Sequence, residues 1–344
     1  MQNKVSKPKD LSIETLRGIA IILIVAGHVI GTNSEERLRV NEDSGWRYFY
    51  RSFEYLRMPL FTVISGFVYS LRPVEYGNIF KFLMGKVRRI LLPMITVGTL
   101  HLILQQIIPG TNSKSDITDM WKIYLFPYEH FWFLQSIFLI FIFIAIIDHF
   151  QLISTEKKWL IVFIVTAIGR SFLSPLRNNY SSYEGFLNLL PFFVLGCGIE
   201  RYRNIFTNKS IIRGLLILFI VVITVHQYLL LNRTEINFLE NALSSLMAAS
   251  SGIVLLFYIR RNISVLSKLG YFAYGIYLFH VFGTAGSRIM LMNLNIINTT
   301  VLFVIGLLAG LGVPILIELL LERSKVLRMA FLGLQMKTVI YQRK

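Results

Sequence analysis

Near the start of the chain an arginine and a histidine interrupt an otherwise apolar run, LSIETLRGIAIILIVAGH, residues 11–28. Ionisable groups inside such a run are costly in lipid and are candidates for function. Arg17 and His28 stand 11 residues apart, which on a helix leaves them within about 20° of each other and about 16 Å apart along the axis. One stripe therefore carries a fixed cation at one end and a titratable imidazole well inside. Histidine is the side chain whose ordinary pKa suits proton abstraction near neutral pH, and a guanidinium offers phosphate a planar fork of donors. Gly18, Ala20, Ala26 and Gly27 thin the helix and let a neighbour or ligand approach. The spacing alone also allows a plainer account, in which Arg17 snorkels and His28 bonds inside a bundle.

Further along, Lys86, Arg88 and Arg89 cluster just before Pro93, a second set of cations suited to phosphate. Glu14, one turn before Arg17, is placed to orient that arginine rather than to do chemistry. Four histidines share a register: His28, His101, His226 and His280 fall 11, 12, 13 and 12 residues after Arg17, Arg89, Arg213 and Lys268. At a helical rise they sit at about one depth, roughly 16–20 Å from a basic end. In that layer His280 is a candidate site residue, whereas His101 and His226 read as packing residues. Trp132 and Tyr277 could stack on a ligand, although aromatics at membrane interfaces usually serve as anchors. His149, beside Asp148, reads as solvated. The single cysteine, Cys197, lies in FFVLGCGI and reads as a packing residue; it excludes an intrachain disulfide and a CxxC metal site, and no metal is expected.

These groups need a lipid-embedded scaffold. Of 344 residues 54% are hydrophobic and 16% charged, with mean hydropathy +0.59, well below the charge of a soluble domain. Residues 19–31, 131–147, 214–231 and 297–317 carry no charged side chain, and in lipid only helices satisfy the backbone of such runs. Ten spans are expected, at about 11–31, 54–71, 90–108, 131–148, 159–173, 185–200, 214–231, 238–259, 269–292 and 297–321. With the N-terminus in the cytoplasm, 23 of the 35 Lys and Arg fall inside and the other twelve outside or within spans. That is the positive-inside bias. The net charge of +16 is thus topological, and no nucleic-acid partner is implied. Lys4, Lys7 and Lys9 precede the first run as in a signal peptide, but Arg17 interrupts it and no A-x-A site follows, so it reads as an uncleaved span. The expected fold is an all-α polytopic membrane protein, a bundle of about ten transmembrane helices with both termini cytoplasmic. Residues 1–10 form the N-terminus, 11–321 one transmembrane domain and 322–344 a basic cytoplasmic tail. No internal repeat is evident, and the longest polar loops, 32–53 and 109–130, are too short for a separate catalytic domain.

Glu14-x-x-Arg17-Gly18 followed by His28 resembles the first-span signature of the acyltransferase-3 family of integral membrane O-acyltransferases. MPLFTVISGFVYS, with Pro59, Phe61, Ser65 and Gly66, is similar to the family's second span, and KVRRILLP to the basic entry of its third. EHFWFL, with His130, Trp132 and Leu134, resembles an element of the branch that includes fucose 4-O-acetylase-like proteins. LPFFVLG, and YGIYLFH ending in His280, match later elements in order. The resemblance covers roughly residues 10–320, as a stand-alone member with no fused hydrolase domain. The chain departs from the family in lacking a Ser-x-Glu element in the fourth span. Phe131 stands where Leu is usual, and Arg57 where His is expected, with Glu54 as its local counter-ion.

The resemblance implies a transferase that moves an acyl group, acetyl above all, from cytoplasmic acetyl-CoA or another acyl-CoA to a hydroxyl of a cell-surface glycan or its lipid-linked precursor, in a bacterial inner membrane. His28 would be the general base, with His280 beside it. Arg17, Arg88 and Arg89 would hold the donor phosphates. Glu14, Arg57, Trp132 and His130 would orient or bind substrate. A polysaccharide or lipid-linked sugar flippase is the competing expectation, but no inverted repeat or pair of broken helices marks the chain as a transporter. A non-catalytic scaffold would not bear the cost of Arg17 and His28 in lipid.

Overall fold

The computed structural model describes residues 10–74, 78–111, 118, 120–172, 179–232 and 238–335. The described residues form helices and connecting turns, with no strand among them. In order these are α1 (Leu11–Ile30), α2 (Gly45–Ser52), α3 (Glu54–Leu71), α4 (Ile79–Lys86), α5 (Leu92–Ile107), α6 (Lys122–Leu125), α7 (Trp132–His149) and α8 (Glu156–Phe172). There follow α9 (Tyr183–Arg201), α10 (Arg203–Thr207), α11 (Lys209–Leu231), α12 (Phe238–Ile259), α13 (Ser264–Tyr271), α14 (Ala273–Asn293), α15 (Thr299–Leu321) and α16 (Lys325–Leu332). Apart from their ends and a break at Phe272, the described residues of each expected span are helical; residue 173 lies outside the described residues. Among the described residues seven helical segments are long and apolar enough to cross a membrane, or eight if the bent pair α13–α14 is one span, against the ten expected.

Helix α1 is the axis of the bundle. Asp10 caps it by accepting from the Ser12 amide at 3.0 Å, and Gly31 ends it at φ +93°, a conformation glycine adopts without penalty. It packs against α3, α13, α14 and α15, and 72% of its apolar window is buried; the corresponding figure for α11 is 0%. A helix apolar all round and unburied by protein belongs against lipid, so α11 is peripheral. Its His226 meets Tyr55, ring centres 5.7 Å apart, and takes no part in a shared histidine layer. Residue spacing gave depth along a helix but not which helices are central.

Close helix approaches are made by glycines. A Cβ at Gly66 of α3 would collide with the Phe193 carbonyl of α9, and one at Gly196 with the Val63 carbonyl. Buried Cys197 lies in the same seam, its Sγ 3.5 Å from the Gly66 carbonyl. We expect Gly196→Ala to cost about 1–3 kcal/mol through overpacking against backbone, whereas Gly214→Ala, where a Cβ meets nothing, is neutral. Thermal unfolding in detergent, followed by size exclusion, compares the two; equal melting would refute the seam.

Two departures from the expected spans shape the site. The segment expected as one helix over 269–292 is broken at Phe272, and α13 meets α14 at 80°. Gly18 of α1 and Gly270 of α13 pack backbone to backbone, each leaving no room for a Cβ, so α13 lies across the start of α1. The third span begins earlier than expected: α4 runs through a π-helical stretch, Val87–Leu91, into α5. Pro93 supplies no amide proton and crowds the carbonyl four residues back, that of Arg89. The widened turn relieves the crowding, and the freed carbonyl accepts from the Tyr274 hydroxyl of α14.

Candidate active site

At the N-terminal end of α1 lies a basic cavity of about 970 Å³, lined by Arg17, Lys86, Arg89 and Arg328 together with Ser65, Tyr69, Tyr274 and Glu318. Arg17 is paired with Glu14 at 2.7 Å, with the carboxylate buried and the guanidinium 26% exposed. The ion pair holds the cation toward the cavity. Lys86 lies over Phe141, 3.6 Å from its ring centre, and Arg89 over Tyr274 at 4.7 Å, contacts that keep both charges in place. Arg89 also donates to the Leu332 carbonyl at 2.8 Å, and Arg88 donates through Nε to that of Gly333 at 3.2 Å. Arg88 thus ties α16 to the bundle and is absent from the cavity lining. Of the segment expected as a basic tail, residues 322–335 are described and fold back here, with Leu334 and Gln335 completing the wall, while 336–344 lie outside the described residues.

The opposite end of α1 opens into a second cavity, of about 540 Å³, lined by His28, His101, Gln105, Glu129, Arg37, Thr284 and Arg288. His28 faces this space and not lipid. Its ring centre lies 4.6 Å from that of His280 and 6.0 Å from that of His130; His280 and His130 are 4.7 Å apart, and His130 and His101 6.2 Å. Three of the four expected histidines therefore meet, joined by His130 from the turn before α7. The rings meet edge to face, and among the described residues no group of His, Cys, Asp or Glu has the geometry of a metal site.

Hydrogen bonds fix the tautomers. His280 Nδ1 faces the carbonyls of Tyr277 at 2.9 Å and Ile276 at 3.2 Å, both acceptors, so Nδ1 carries the proton. Its Nε2 is buried without a hydrogen-bond partner and keeps a lone pair. His28 Nδ1 lies 2.9 Å from Arg37 Nη1; a guanidinium only donates, so this nitrogen accepts. His130 Nε2 is 3.3 Å from the Leu278 carbonyl, and the His130 carbonyl accepts from the Tyr277 hydroxyl. Around the cavity rim the contacts continue from Arg37 to Glu129 at 4.0 Å. Gln105 donates to Glu129 at 3.2 Å, Tyr128 donates to Gln105 at 2.8 Å, and the Tyr128 hydroxyl meets His101 Nδ1 at 2.9 Å.

Phe61, Phe133 and Tyr277 close the inner end of the basic cavity, with ring centres 5.5–6.3 Å apart. The two cavities share no lining residue. One turn of α14, from Tyr277 to His280, separates their facing ends.

The remaining expected residues are placed less directly. Arg57 lies over the Tyr50 ring at 4.0 Å, and a Cβ at Gly27 would strike its guanidinium; it thus stands next to His28. No ion pair joins it to Glu54 among the described residues, a correction to the expected counter-ion: the aromatic face of Tyr50 takes the charge instead. Trp132 packs on Gly185 of α9 and lines neither cavity. Arg37, Gln105, Tyr128 and Glu129 escaped notice in sequence because they stand in or beside the polar loops, where such residues are ordinary. The one available signal was Glu129 heading EHFWFL. Arg47 was also missed; it is wholly buried, and its guanidinium donates to the Gly31 carbonyl, pinning α2 over the end of α1.

A basic cavity, a histidine cluster and a polar cavity thus lie along one helix. Residues 10–319 match the acyltransferase-3 family, described as an acyltransferase domain. The chain belongs to the acyltransferase-3 family. It is therefore a multi-helical membrane protein bearing an O-acyltransferase domain. A curated relative is the nodulation protein NolL of Mesorhizobium japonicum, 28% identical over 212 residues, covering 58% of this chain and 52% of that protein. The match thus spans about half the relative's length. No solved structure matches.

Proposed function

We propose that this acyltransferase-3 protein moves an acyl group, acetyl in the first instance, from cytoplasmic acyl-CoA to a hydroxyl of a cell-surface glycan or its lipid-linked precursor. Both chain ends face the cytoplasm of a bacterial inner membrane. The observation that carries this reading is that His28 lines the polar cavity, while Arg17, on the same helix, lines the basic one. Arg17, Lys86 and Arg89 suit the donor's phosphates, and the thioester reaches the histidines once the rings of Phe61, Phe133 and Tyr277 move apart. The second cavity offers carboxylate, amide and guanidinium groups, the donors and acceptors that orient sugar hydroxyls.

In the transfer His28 takes the proton of the acceptor hydroxyl as its oxygen attacks the thioester carbonyl. The carbon–sulfur bond breaks, and the CoA thiolate takes the proton held on His28 as it leaves toward the basic cavity. His280, with its lone pair held at Nε2, stabilises the imidazolium formed on His28. Arg57, beside Gly27, supplies positive charge for the oxyanion. Mass spectrometry of surface glycans from cells with and without the gene tests the assignment. Loss of an acyl mass increment from one sugar is the expected result; unaltered acylation with failed glycan export would instead make the protein a flippase.

A further inference from the structure

Arg37 stands on the loop after α1, and its placement conflicts with the role given to His28. A neutral imidazole has one lone pair. The Arg37 guanidinium, which has donors only, occupies that lone pair at His28 Nδ1, 2.9 Å away. In this arrangement the other ring nitrogen bears the proton, and His28 has nothing with which to accept one. Yet Arg37 is not deeply committed: Glu129 Oε2 lies 4.0 Å from its other terminal nitrogen, a charged alternative seat on the same cavity wall.

The loop is shaped for this contact. Arg37 itself has φ +60°, a left-handed conformation that residues with a Cβ seldom adopt. Gly31 makes room for it; a Cβ there would stand 3.1 Å from that of Arg37. Anything entering the polar cavity meets Arg37 beside His28, and sugar oxygens accept from a guanidinium as well as an imidazole nitrogen does.

We propose that Arg37 is a positioning residue that caps the base, and that the acceptor releases the cap by drawing the guanidinium onto itself and Glu129. The proposal rests on His28 being the base. Its consequence is that proton abstraction is available only when an acceptor is bound, which protects the thioester from water. Without the cap, water replaces the acceptor: its oxygen bonds to the carbonyl carbon, the carbon–sulfur bond breaks, and the proton passes through His28 to the departing thiolate. The products are acetic acid and CoA thiol.

The test uses the full chain in lipid nanodiscs with acetyl-CoA and no acceptor, reading free thiol. Arg37→Ala and Arg37→Gln are expected to release CoA on the order of tenfold or more faster than the unaltered protein, a part of the roughly 10²–10⁴-fold that a positioned general base is worth. His28→Ala added to either returns the rate to background. In a second assay with the acceptor glycan added, Glu129→Gln is expected to slow glycan transfer several-fold without changing the KM for acetyl-CoA, and to have no further effect once Arg37 is removed, because the two residues act as one unit. Monodisperse Arg37 variants that release CoA no faster than the unaltered protein overturn the cap. So does a Glu129→Gln defect that persists in full in the Arg37→Gln background, a readout that stands even if Arg37→Ala does not fold. Glycan acylation surviving in His28→Ala would overturn the base itself, a separate result.

Discussion

Replacing His28 with alanine should reduce acyl transfer by about 10²–10⁴-fold, the usual worth of a positioned general base, while leaving membrane insertion and the amount of protein unchanged. The imidazole lines the cavity, so alanine there gives up its contacts with His280, His130 and Arg37 without cutting into the apolar core. The defect should lie in kcat, with the KM for acyl-CoA unmoved, because the donor's charged end is bound by groups at the other end of α1. His280→Ala should also impair kcat, but it removes a fully buried ring and should lower the melting temperature as well. Glycan acylation in cells carrying each variant, with membrane-fraction immunoblots as the control, gives the measurement. Full acylation by the His28 variant would refute the mechanism.

The second large effect is expected at the basic cavity and in the opposite kinetic parameter. Arg17→Gln combined with Lys86→Gln removes two cations from the lining. A hydrogen bond to a charged group is worth about 1.5–3 kcal/mol, so each loss should raise the KM for acyl-CoA on the order of tenfold or more, with kcat little changed at saturation. Raised salt should weaken donor binding to the unaltered protein and do so less for the double variant, since fewer charges remain to be screened. Arg88→Gln is the informative contrast. Its guanidinium holds the Gly333 carbonyl and is not part of the cavity wall, so its loss should loosen α16 and lower stability before it alters the KM. Steady-state kinetics with radiolabelled acetyl-CoA in nanodiscs distinguishes these outcomes; an unchanged KM in the double variant would place the donor elsewhere.

The sequence by itself determined the solvent and the helices. Apolar runs of sufficient length must be helical in lipid, and the described residues of every expected span are helical apart from their ends and the break at Phe272. It also determined the register of Arg17 and His28, because a fixed rise per residue turns spacing into distance along one rigid element. The acyltransferase-3 resemblance was legible in the same residues. Only the tertiary structure decided which helices are central. His226 shares the spacing of His28, His101 and His280 yet sits on peripheral α11, since periodicity fixes depth but says nothing of position around the bundle. The break at Phe272 was equally invisible: hydropathy runs smoothly through it, and the bend arises because Gly18 and Gly270 let α13 cross α1 in backbone contact. The circuit from His28 through Arg37, Glu129 and Gln105 to Tyr128 and His101 joins groups far apart in the chain. Loop paths set those contacts, and a loop's path follows from the packed bundle beneath it rather than from local residue preference.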